Sequence, residues 1–139
     1  PGLDGRKMSK SYNNAIYLSD SPSDIGKKVS MMLTDPQRAR RTDPGDPEVS
    51  VVYQYHKIFT PKGEVEEIAK GCRSATIGCT ECKGILAANL IKFLRPFHEK
   101  REELQKNPKE VMEIFKQGSM KAREEAKETM KQVREAMKI

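Results

Sequence analysis

Lys7 and Lys10 stand three positions apart in the run Lys7-Met8-Ser9-Lys10-Ser11. Two ammonium groups so spaced on a loop can converge on one polyphosphate. The hydroxyls of Ser9 and Ser11 add hydrogen bonds to phosphate oxygens, and the small side chains let the backbone approach. Lysine, a compact point charge, suits a leaving group whose negative charge grows in the transition state. A second group is Cys72, Cys79 and Cys82, a C-x6-C-x2-C pattern interleaved with Gly71, Gly78 and Gly84. Three thiols this close suit a soft metal ion or an iron–sulfur cluster, with three reduced, unligated cysteines as the alternative. A disulfide is less attractive because it leaves one cysteine over. The third group is basic: Arg38, Arg40 and Arg41 on a proline-rich stretch, with Arg73 and Lys83 flanking the cysteines. Guanidinium forks bind phosphates and stack on unpaired bases. The alternative is a solvated basic loop anchored by Asp35, Asp43 and Asp46.

The elements that must carry these groups are helical. Of 139 residues, 36% are hydrophobic and 33% charged, and the net charge is +6. No apolar run approaches the ~20 residues of a membrane span, so an integral helical membrane protein is excluded. Residues 1–41 hold eight Lys/Arg against four Asp, a local excess that attracts phosphates. Residues 1–14 have no apolar period and read as a loop, expected to be mobile over 5–12 because nothing apolar anchors them. Ser21-Pro22-Ser23-Asp24 is a helix start, with Ile25, Val29, Met32 and Leu33 on the buried side. The prolines of 34–48 make a loop. Val51, Val52, Tyr55, Ile58 and Phe59 recur at helical spacing, as do Val65, Ile68 and Ala69 after the break at Pro61. A cysteine-bearing turn over 71–84 leads into an apolar helix from Ile85, with Pro96 a kink. Asn107-Pro108-Lys109-Glu110 starts the last helix. Its Val111, Phe115, Ala122, Ala126, Met130, Val133 and Met137 stripe reads as a core face. The chain begins Pro1-Gly2-Leu3-Asp4-Gly5, like the inside of a loop, and a fragment of a longer protein is expected.

The Lys7–Ser11 run, preceded by Gly5-Arg6 and followed by Asn13-Asn14 and Ile16, resembles the signature loop of class I aminoacyl-tRNA synthetases. Leu33-Thr34-Asp35-Pro36, Arg40-Arg41-Thr42-Asp43-Pro44-Gly45, His56-Lys57, Ala75-Thr76-Ile77-Gly78-Cys79, Ala122-Arg123 and Val133-Arg134 resemble the C-terminal part of the bacterial tryptophanyl-tRNA synthetases. The resemblance implies a two-step reaction in the intact enzyme. Tryptophan carboxylate attacks the α-phosphate of Mg-bound ATP, and the aminoacyl group then passes to tRNA(Trp). It places Lys7 and Lys10 in the catalytic role and Lys7, Met8, Ser9, Lys10 and Ser11 at ATP. It also implies a mainly α fold: residues 1–20 end a Rossmann-type α/β catalytic domain, and residues 21–139 form a helical bundle that binds the anticodon. Arg38, Arg40, Arg41, Arg73 and Lys83 would then face tRNA. A cytoplasmic homodimer, with no membrane association, goes with this reading.

Some members of the family carry the same cysteine spacing within a four-cysteine 4Fe-4S site. Here Ser50 stands at the expected place of the fourth cysteine, so a cluster held by Cys72, Cys79 and Cys82, zinc with His56 or His98, and no metal all stay open. A tyrosyl-tRNA synthetase relative and a stand-alone helical RNA- or metal-binding module are the other readings. The Arg40–Gly45 run and the cysteine turn speak against the tyrosyl enzyme.

Overall fold

The structure, a computed structural model, describes residues 1–139. The chain is carried by five α-helices and contains no β-strand: α1 Pro22–Ser30, α2 Val51–Phe59, α3 Lys62–Arg73, α4 Cys79–Lys106 and α5 Pro108–Met137. The expected mainly helical fold is the observed one. Two compact units are present, Pro1–His98 and Glu99–Ile139. No helix is long and apolar enough to cross a membrane.

Local chemistry starts the helices where the sequence marks them. Ser21 caps α1: its Oγ accepts from the Asp24 amide at 3.1 Å and donates to the Asp24 carboxylate at 2.6 Å. That reciprocal bond holds the Asp24 carboxyl below its ordinary pKa. α5 starts after Asn107, whose side chain donates to Glu110 Oε2 at 3.1 Å rather than capping the backbone. α4 begins earlier than expected, at Cys79, so the turn shrinks to the residues between Arg73 and Cys79, and Cys79 and Cys82 are helical. The helix also runs on through Pro96.

The core of the first unit gathers Leu3, Ile25, Val29, Met32, Val51, Val52, Tyr55, Leu86, Leu90 and Leu94. Each fully buried aliphatic side chain contributes about 1.5–3 kcal/mol. Leu3 carries the N-terminal segment into this core, and Tyr55 Oη donates to the Pro1 carbonyl at 2.8 Å. Leu33 departs from expectation. Its side chain is exposed, while its backbone takes a bond from Val51 N–H (3.1 Å) and gives one to the Leu3 carbonyl (3.0 Å). The helix ends at Ser30, so Leu33 lies past the turn that would have aimed it inward. The second correction concerns α5, none of whose residues is buried. Its apolar stripe, including Phe115 and Met137, is exposed rather than a core face.

Candidate functional site

The signature-loop residues are held by polar bonds in place of the apolar anchors they lack. Ser9 closes a single 3₁₀ turn over Lys10–Tyr12, its Oγ accepting from the Ser11 amide at 3.3 Å. Asn13 ends that turn in the left-handed region (φ 49°) and donates to the Lys10 carbonyl. On the other side Asp4 pairs with Arg6 at 2.6 Å, and the Arg6 guanidinium lies 4.6 Å from the Tyr12 ring centre. Between them sits Asn14, only 3% exposed. It donates to Asp4 Oδ1 (2.8 Å) and the Lys7 carbonyl (3.2 Å), and accepts from the Ser9 amide (2.8 Å). The Asn14 bond, with help from Arg6, brings the Asp4 carboxyl down to about 2. These bonds give residues 5–12, expected to be mobile, the conformation of a braced loop. It leaves Lys7, Met8, Lys10 and Ser11 exposed, and neither lysine is in an ion pair.

The proline-rich loop is built around its aspartates. Asp35, buried, accepts from the amides of Asp46 (2.8 Å) and Gln37 (2.9 Å), which hold its carboxyl below the usual range. Asp43 accepts from the Arg40 amide at 2.7 Å. Gly45 passes so close to Cys72 that a Cβ there would lie 2.9 Å from the Cys72 Sγ. The basic side chains divide. Arg38 turns inward and donates from Nη2 to the carbonyls of Arg41 (2.9 Å) and Ile77 (2.7 Å), strapping the loop to the turn before α4. Its Nε is buried without a partner. Lys83 donates to the Ser30 carbonyl at 2.7 Å, tying α4 to the end of α1. Arg40, Arg41 and Arg73 are exposed. Arg40 and Arg41 line an open cleft of about 680 Å³ with Gly78, Cys79 and Thr80.

Cys72, Cys79, Cys82 and Ser50 all line one small cavity of about 20 Å³ with Arg38 and Ile77. The sequence thus identified four residues that do meet. The donor set does not fit a resident cluster or zinc ion, however. No three Cys, His, Asp or Glu side chains are grouped closely enough to hold a metal. The space is about that of one water molecule, too little for a four-iron cluster, and the fourth corner is a hydroxyl. Without a metal, burial pushes the Cys82 thiol up to about 12 and also raises that of Cys72. The 4Fe-4S and zinc readings are therefore not supported. As an expected result, protein purified anaerobically carries no iron and no visible absorbance band, and under denaturation a thiol reagent counts three free cysteines.

His56, the other zinc candidate, is fully buried and structurally committed. Its Nε2 lies 3.1 Å from the Cys82 carbonyl and its Nδ1 2.8 Å from Thr60 Oγ1, which also accepts from Asn89 Nδ2 at 3.0 Å. A carbonyl can only accept, so the proton is on Nε2 and Thr60 donates to Nδ1. Burial holds the imidazole below its ordinary pKa. Sequence reading identified the residue but not this tie, which exists only because α2 and α4 meet. Asn14 was likewise visible only as part of a motif.

The sequence model of the family described as tRNA synthetases class I (W and Y) matches residues 1–95. The chain belongs to this family. Among its class I relatives, the tryptophan–tRNA ligase of Aquifex aeolicus is 50% identical over 140 residues, spanning all of this chain and 35% of the relative. That of Thermotoga maritima is 42% identical, again over the whole chain and 43% of the relative. Tryptophanyl-tRNA synthetase of Campylobacter jejuni superposes with a TM-score of 0.85 at 30% identity, covering 99% of this chain and 44% of that one. The same enzyme has been solved complexed with ADP and tryptophan. The chain therefore spans 35–44% of the length of these class I synthetases.

Proposed function

We propose that this chain is the C-terminal part of a tryptophan–tRNA ligase, in which it supplies the signature loop and the helical tRNA-facing region. In the intact enzyme tryptophan and Mg-bound ATP give tryptophanyl-adenylate and pyrophosphate, and the tryptophanyl group then passes to tRNA(Trp). The observation that carries the reading is the loop itself. Lys7 and Lys10 stand exposed on a braced turn, unpaired with any carboxylate, in a chain matched end to end by tryptophan–tRNA ligases. Their ammonium groups would take up the charge that builds on pyrophosphate as it departs. Met8, Ser9 and Ser11 shape the turn against ATP. Residues 1–20 close the catalytic domain and residues 21–139 form the tRNA-facing region of a cytoplasmic homodimer. ATP–pyrophosphate exchange tests this reading. The longer polypeptide that joins this segment to a catalytic domain should exchange with tryptophan and not with tyrosine, and the 139-residue chain alone should not exchange. Turnover with tyrosine, or by the isolated chain, would overturn it.

In the tRNA-facing region, Arg40 and Arg41 are the contacts, with Arg73 extending the patch. Arg38 and Lys83 act through the fold, since their donors bind carbonyls. Replacing Arg40 and Arg41 together by Ala is expected to weaken tRNA binding at low salt and to reduce the slope of log affinity against log salt by about 1–2. Unchanged affinity and slope in a filter-binding titration would remove both residues from the interface.

A further inference from the structure

Residues 7–9 belong to no helix or strand and have no strand beside them. Ser9 has φ −152° and ψ 141°. Asn14 takes the place of the missing strand. One side-chain amide accepts from the Ser9 N–H at 2.8 Å and donates to the Lys7 carbonyl at 3.2 Å, bracketing Met8 as a neighbouring strand's backbone would. The same nitrogen donates to Asp4 Oδ1 at 2.8 Å, and the Asn14 carbonyl accepts from Leu3 N–H at 2.9 Å. Space for the amide is supplied by Gly2, where an added Cβ would lie 2.3 Å from Asn14 Nδ2 and 2.5 Å from its Cγ. Beyond Ser9 the 3₁₀ turn continues directly into Lys10. The backbone positions of both lysines therefore follow from where one buried amide sits.

We propose that Asn14 is the positioning residue of the signature loop: its amide, seated against Gly2 and anchored on Asp4, sets the separation at which Lys7 and Lys10 meet a polyphosphate. This rests on the polyphosphate reading of the loop given above. Asn14 touches no reacting atom. It acts through the backbone of Lys7 and Ser9, so that the two ammonium groups need not be brought together when the ligand arrives.

The experiment has two arms on the 139-residue chain. In the first, amide hydrogen exchange at Ser9 is followed by NMR. Asn14→Ala is expected to speed Ser9 exchange about tenfold or more, as loss of its acceptor requires, while Leu86 and Leu90 in the core stay unchanged. Gly2→Ala, which keeps Asn14 but fills its seat, should do the same. Asn14→Asp supplies a signature that general destabilisation would not. Two carboxylates then share the site beside Arg6 and Lys7, so protection of Ser9 should be poor at neutral pH and return as acid protonates the pair. In the native chain Asp4 stays ionised over that range, and protection should be flat after correction for intrinsic exchange. Unchanged Ser9 protection in Asn14→Ala overturns the proposal. If that variant does not fold, Gly2→Ala and the pH return in Asn14→Asp decide it.

In the second arm inorganic pyrophosphate is titrated against the Lys7 and Lys10 amide shifts. Lys7→Ala should abolish the response, and Asn14→Ala should weaken it about tenfold. No response in the native chain, or a native response in Lys7→Ala, overturns the polyphosphate reading and with it the purpose assigned to Asn14. The first arm then still reports whether Asn14 braces the loop. A response lost in Lys7→Ala but native in Asn14→Ala overturns the positioning role alone.

Discussion

Replacement of Lys10 by Ala, in the longer polypeptide that carries a catalytic domain, is expected to lower the rate of tryptophanyl-adenylate formation about 100–1,000-fold. The loss should fall mainly on kcat, with KM for ATP changing much less. The reason is that charge on the departing pyrophosphate is larger in the transition state than in bound ATP, and only interactions that strengthen on the way there accelerate the step. Lys7→Ala should lose a similar factor. The double variant should lose less than the product of the two, because both ammonium groups serve one leaving group. Arginine at either position is expected to rescue only partly, since a planar fork with its charge spread over three nitrogens does not replace a compact ammonium. Single-turnover formation of adenylate separates these cases. A tenfold rise in KM with kcat intact would mean that the lysines bind ATP without assisting its cleavage.

The second large effect concerns stability. His56→Ala removes a buried ring and strands the Thr60 hydroxyl and the Cys82 carbonyl, and should cost about 2–4 kcal/mol in urea unfolding. Its pH signature identifies the cause. Burial lowers the His56 pKa in the folded state below the ordinary 6.5, so the unfolded chain binds the proton more readily. The stability that neutral His56 contributes is therefore complete above pH 6.5 and is lost as the pH falls from there toward the folded pKa, by at most about 1.4 kcal/mol per pH unit. His56→Gln should flatten the stability curve between pH 6.5 and 5. If its curve instead parallels that of the native chain, another group titrates in that window.

Much of this molecule was written locally. The Ser21-Pro22 and Asn107-Pro108 starts, the proline-broken loop over 34–48 and the apolar repeats of α2 and α3 depend on residues within a few positions of one another, and the structure reproduces them. The Asp35–Gln37 and Asp43–Arg40 bonds of the arginine loop span two or three residues and could be anticipated for the same reason, whereas the Asp35–Asp46 bond spans eleven. The three cysteines were bound to lie close because only eleven residues contain them. Where a role needed a partner distant in sequence, local reading failed. Arg38 looked like its neighbours Arg40 and Arg41, yet it donates across 39 positions to the Ile77 carbonyl and is half-buried where they are exposed. Lys83 is committed 53 positions away.

By itself, then, the sequence determined the helices, the loop that displays Lys7 and Lys10, and the family, because backbone propensity and short-range side-chain chemistry act within a turn or two. Only tertiary structure decided which charges stay outside, how Asn14 replaces a strand, and that His56 is a neutral tie between helices rather than a ligand. It also decided that four residues suited to a metal enclose room for little more than a water molecule. These outcomes turn on desolvation and on distances of a few ångström between segments far apart in the chain. Residue type alone does not encode either.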